Sequence, residues 1–148
     1  MTTQRYEEGG VVIAMALLRA DAGVAALTGD GDRLYPDDVP QGVLLPAVSV
    51  RSISRVRRTP MSLRADACTV TERVQVTPQC SVDAPTELGR LIRAIDLACR
   101  PQRLEACGGF ERVVIEDEGR GPTITDPEQR VRPRAMDYRL TYQEPTGP

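Results

Sequence analysis

The chain contains no lysine, no histidine, no asparagine and no tryptophan, and one phenylalanine and four tyrosines are its only aromatic residues. Each absence removes a class of function. Without histidine there is no side chain whose ordinary pKa lets it exchange protons near neutral pH, so catalytic triads lose their base. Without lysine there is neither a Schiff-base amine nor a phosphate-loop lysine. Without asparagine there is no acceptor for N-glycosylation. With so few aromatic residues there is little to stack on a nucleobase, and the core has to be assembled from Val, Leu, Ile and Ala. No apolar run approaches the length of a membrane span. The apolar stretch Val11–Leu18 before Ala20-Asp21-Ala22 imitates a signal peptide, but Glu7 and Glu8 stand where positive charge is needed, and that reading is rejected.

The 148 residues suit one domain, 1–148, able to bury its own core. All the positive charge is guanidinium: 19 arginines face 21 Asp and Glu, for a net charge of −2. That balance excludes the strongly basic footprint of a dedicated nucleic-acid binder. The four cysteines, Cys68, Cys80, Cys99 and Cys107, stand 12, 19 and 8 positions apart, too far for the close pairs of zinc or dithiol sites. They are expected to be reduced and mostly buried. Neither cofactor nor metal is expected.

Patterning predicts an α+β domain. Residues 1–9 are expected to be a flexible arm. Val11, Ala14, Met15 and Leu18 line one face of a helix over Gly10–Ala20, and Asp21 caps a short turn through Leu27. Arg33-Leu34-Tyr35 suits a short strand. Ala47–Arg58 reads as a strand with Val48, Val50 and Val56 on one side and Ser49, Arg51, Arg55 and Arg57 on the other, leading into a long loop, 55–68. The clearest alternation runs from Cys68 to Val82, broken only by Glu72 and by Pro78, which argues for an edge or a bulge there. Asp83 is the expected cap of a second helix with Pro85 in its first turn. That helix buries Leu88, Leu91, Ile92, Ile95 and Cys99, turns Glu87, Arg90, Arg93 and Asp96 to water, and is stopped by Pro101. After the turn at Cys107-Gly108-Gly109, a strand from Phe110 to Ile115 runs into the acidic Glu116-Asp117-Glu118 and a long loop, 117–131. A last strand alternates Met136, Tyr138, Leu140 and Tyr142 against Asp137, Arg139, Thr141 and Gln143. The expected fold class is α+β: an antiparallel or mixed sheet of about four to five strands with two main helices packed on one face.

Three clusters are candidates for chemistry. Asp30-Gly31-Asp32 hints at a calcium loop, but Leu34 occupies the third ligand position and no closing Glu follows. Glu116, Asp117 and Glu118 with Asp126 could pair carboxylates for acid–base work, yet they flank the glycines and prolines of an expected surface turn. No catalytic residue emerges. The third cluster is basic: Arg51, Arg55, Arg57, Arg58 and Arg64 on a strand and the loop after it. It is either a solvated hairpin or a surface that pairs with carboxylates of a neighbouring subunit, such as Asp37 and Asp38; nucleic acid fits least, because no aromatic residue lies among these arginines.

Leu17-Leu18-Arg19-Ala20-Asp21 to Val24-Ala25-Ala26-Leu27-Thr28-Gly29, then Arg33-Leu34-Tyr35-Pro36, Pro40-Gln41 and Leu45-Pro46-Ala47-Val48 resemble the opening of the tail-terminator or tail-completion family of long-tailed bacteriophages, to which the lambda tail terminator is related. Val74-Gln75-Val76, the helix from Pro85 to Cys99 and the strand Met136-Asp137-Tyr138-Arg139-Leu140 follow in the family's order. The resemblance implies a structural virion protein and not an enzyme. It implies a homohexameric ring on the tail tube at the tail–neck junction, assembled in the host cytoplasm. The implied partners are other copies of itself, the tail tube protein and a head–tail connector or head-closure protein, with DNA passing through the lumen unbound and no membrane. Two alternatives are another neck component and a small stand-alone hydrolase or ligand-binding domain.

Overall fold

A computed structural model describes residues 9–58 and 67–145. The anticipated arm, apart from Gly9, and the loop 59–66 with Arg64 lie outside the described residues. Gly9 itself opens a helix. The chain runs α1 (Gly9–Ala20), α2 (Ala22–Leu27), β1 (Leu34–Pro36), β2 (Ala47–Arg58), β3 (Ala67–Ser81), α3 (Pro85–Ala98), β4 (Gln102–Cys107), β5 (Phe110–Thr123) and β6 (Val131–Pro145). The strands form one mixed sheet in the order β1-β2-β3-β6-β5-β4. Only the β1–β2 pair is parallel.

The sheet therefore has six strands, one more than the sequence pattern supplies. The added strand is β4, whose Gln102-Arg103-Leu104-Glu105 lacks an alternating apolar face because it lies at the rim of the sheet. Both expected loops are strand at their ends, and of 55–68 the residues 59–66 lie outside the described ones. β2 continues through Arg58 and β3 starts at Ala67, and β5 carries Glu116-Asp117-Glu118 on as far as Thr123, leaving only 124–130 as the connection to β6.

The helices pack on one face of the sheet. The buried stripe of α1 (Val11, Ala14, Met15, Leu18) and that of α3 (Leu88, Leu91, Ile92, Ile95), followed by Cys99 just past the helix end, meet Val70, Val74, Val76 and Cys80 of β3 and Met136, Tyr138, Leu140 and Tyr142 of β6. The alternation along β3 and β6 thus follows the pleat, with one parity under the helices and Thr69, Thr71, Arg73 and Gln75 turned to the open face. Phe110 and Tyr142 add an edge-to-face contact with ring centroids 4.9 Å apart.

Local signals are obeyed at one helix start and not at the other. Asp21 caps α2, its Oδ1 accepting the Val24 N–H at 3.0 Å. Asp83 does not cap α3: the cap position is Ala84, which offers no side-chain acceptor, and the Asp83 carboxylate accepts from Arg130 at 2.9 Å. Pro78 is neither on an edge strand nor at a register shift. It sits in β3 between two partners, and the ladder to β6 simply lapses at Thr77 and Pro78, between Val76↔Met136 and Gln79↔Pro133.

All four cysteines are free; Cys68, Cys80 and Cys99 are buried and Cys107 is half-buried. Burial pushes the Cys80 thiol up to about 11, and burial followed by the charges of Asp96 and Asp21 pushes Cys99 up to about 12, against an ordinary 9.0. A folded-state pKa above the unfolded one means the unfolded chain releases its protons first as pH rises. Stability contributed by the two neutral thiols is therefore complete below pH 9 and is lost between pH 9 and 12. Urea titrations across that range will show the fall, and Cys99→Ala will flatten it.

Candidate assembly interface

The first ionic feature of the sheet is internal. Glu72 lies on the apolar parity of β3 and is completely buried. Its Oε1 accepts the Gly10 N–H at 2.9 Å and the Tyr142 hydroxyl at 2.7 Å, and Arg55 Nε stands 4.0 Å away. Gly10 belongs to the first turn of α1, where backbone N–H groups have no partner within the helix. A carboxylate from the sheet thus closes the positive end of the helix dipole. Burial, reinforced by the Glu72 carboxylate, pushes the Tyr142 phenol up, which keeps it a donor.

Arg55 reaches this cluster because β2 carries an extra residue. The β2–β3 register shifts between Ser52 and Ser54, a bulge at Ile53 that reverses which face each later side chain occupies. Val56, expected inside, is 54% exposed, whereas Arg55 and Arg57, expected outside, turn under the helices' side of the sheet. Arg55 forms an ion pair with the buried Glu144, and Arg57 donates to Cys68 Sγ at 2.9 Å and approaches Glu144 at 3.9 Å. Burial alone lowers the Arg55 pKa, but Glu144 and Tyr142 more than offset it and the net direction is upward. The sequence pattern marks Glu72 only as a break in the alternation and leaves Glu144 unremarked, although both sit on the apolar parity of their strands. An acid in an inward register was the available signal.

The remaining arginines stay at the surface. Arg51 approaches Asp38 at 3.9 Å, with side chains 50% and 85% exposed. Asp37 N–H bonds the Val50 carbonyl at 2.8 Å. Asp37 and Asp38 therefore lie on the same end of the sheet as the arginines within one molecule. Among the described residues Arg58 has no ion-pair partner.

The other end of the sheet carries the acids. Glu116 and Glu118 are on the open face of β5, both held by Arg139 at 3.3 and 2.9 Å, and Asp117 Oδ1 accepts the Gly119 N–H at 2.7 Å. No shielded cleft surrounds them: residues 116–120 are all exposed. Arg120 is taken by Asp96 of α3, which also accepts the Tyr138 hydroxyl at 2.9 Å. Among the described residues no group of three His, Cys, Asp or Glu side chains is placed to hold a metal ion, and no helix is long and apolar enough to cross a membrane.

This two-layer fold occurs in a chain of a virion. The chain is similar to one in a solved structure described as "Virion of native gene transfer agent (GTA) particle", at 17% identity and a TM-score of 0.54, over 94% of this chain and 99% of that one. No curated protein has a significantly similar sequence. The family model for tail completion protein gp17 matches residues 15–143, and the chain belongs to that family. It is a structural protein of the phage tail, a component of the virion.

The two classes of arginine separate in stability. Arg55→Met leaves Glu72 buried without a cation and Glu144 with only Arg57 at 3.9 Å, and should cost about 3 kcal/mol. Arg51→Met breaks an exposed pair and should cost at most about 0.5 kcal/mol. Chemical denaturation of the two variants checks both values.

Proposed function

We propose that the protein closes into a homohexameric ring on the last ring of tail-tube protein, ends tube polymerisation, and offers the head–tail connector its docking surface at the tail–neck junction. Family membership over residues 15–143 supports a place in tail completion. The observation that carries the ring is the sheet's two unlike, half-covered ends. β1 shields only Val48–Val50 of β2, and β4 shields only the part of β5 up to Ile115. Contacts between two different lateral surfaces are head to tail, and they form a cycle where the rotation between copies closes.

In this reading the protein acts by shape and charge, without bond-breaking chemistry, cofactor or metal. Arg51, Arg57 and Arg58, with Asp37 and Asp38 beside them, form one flank of each subunit. The slight excess of acid, net −2, suits a lumen through which DNA slides without adhering. Tails assembled without the protein should carry tube polymers longer than wild type. Electron microscopy of particles from a gene deletion measures this directly, and tails of normal length with a failed head joint would move the protein to another neck position.

A further inference from the structure

The ring requires one surface on each flank, and the strand edges identify both. β2 is free of any described strand neighbour from Arg51 to Arg58 on the side away from β3, and β5 is free from Glu116 to Thr123 on the side away from β6. Each stretch offers backbone groups with no strand partner, the feature by which one sheet recruits another, although in β5 the Gly119 N–H bonds Asp117 Oδ1 and the Gly121 carbonyl accepts from Arg134 Nε. Pro122 removes one donor near the end of the β5 stretch, so the usable ladder lies mainly within 116–121.

The two edges carry opposite charge. Residues 51–58 include Arg51, Arg55, Arg57 and Arg58 and no acid, while residues 116–123 include Glu116, Asp117 and Glu118 against the single Arg120. Internal pairing takes Arg55 on one side and Arg120 on the other. Arg57 also turns inward to Cys68 and Glu144, so what remains outward on that flank is Arg58, with Arg51 beside Asp38. On the other flank Glu116 and Glu118 share Arg139, and Asp117 has no cation partner among the described residues.

Strand direction agrees. β2 is antiparallel to β3, β3 to β6 and β6 to β5, so β2 and β5 run in opposite senses. When the β5 end of one copy is set beside the β2 end of the next, with the helices on the same side, the new pair is antiparallel. With residues 51–58 matched in full against 116–123, Arg58 lies across from Glu116 and Arg57 across from Asp117.

We infer that successive copies of this chain join by adding the basic β2 edge, residues 51–58, to the acidic β5 edge, residues 116–123, of the neighbouring copy, making one sheet continuous around the ring. This rests on the ring reading above and specifies its interface. Like edges repel: β2 against β2 sets arginine on arginine, and β5 against β5 sets acid on acid. Only the unlike pairing is attractive, and that gives assembly its polarity.

The test uses the full chain and two charge reversals, Arg58→Glu and Glu116→Arg, with oligomeric state read by native mass spectrometry and analytical ultracentrifugation. Each variant alone presents like charges at every contact and should assemble at least about tenfold more weakly than wild type. An equimolar mixture restores opposite charges at every contact of an alternating ring and should recover it. Recovery also shows that both variants are folded. If either variant alone forms rings as well as wild type does, or if the mixture fails to recover them, the pairing is wrong while the ring stands. Wild type that remains monomeric both in solution and on purified tails overturns the ring itself and the pairing with it.

Discussion

The helix layer is tied to the sheet through one buried carboxylate. Glu72 sits where the pattern of β3 calls for an apolar residue, and it accepts both from the first turn of α1 and from Tyr142 of β6. The approach is close enough that a Cβ on Gly10 would fall 2.6 Å from Glu72 Cδ, and one on Gly9 would fall 2.6 Å from the Tyr142 hydroxyl oxygen. The two glycines that open the helix are there because the backbone itself must touch the sheet. Sheet register, helix position and the identity of the first helical residues are thus a single constraint.

That constraint also explains why arginine is divided between two tasks. A buried acid pair, Glu72 and Glu144, draws Arg55 inward once the Ile53 bulge has turned it to that face. Without the bulge Arg55 would face water and Glu144 would be buried without its cation, a costly state. The same bulge puts Val56 outside and leaves Arg58 at the open edge. One inserted residue therefore separates the arginines that hold the fold from those free to meet another molecule.

Much of this architecture is legible in the residues. The 3.6 period of α1 and α3, the cap at Asp21 and the period-two faces of β3 and β6 all have local causes, and each is found where the pattern puts it. What escapes is non-local. β4 has no alternation because it is a rim strand, and the length of β5 is hidden by glycines and acids that suit a turn as well as an exposed strand. The Ile53 bulge has no composition of its own, so the parity of Arg55, Val56 and Arg57 inverts without warning. Asp83 looks like a cap until Arg130, 47 residues later, claims its carboxylate.

The raised thiols bear on how such a molecule senses its surroundings. Histidine is missing, and Cys80 and Cys99 are displaced further from neutrality by their burial. No side chain of the kind that ordinarily titrates near pH 7 is therefore left to alter the field between two copies. Acidification or alkalinisation within the physiological span would leave the attraction proposed between copies as it was. Ionic strength is the external variable to which it responds, because a Debye length of about 8 Å in physiological salt is comparable to the reach of an arginine side chain.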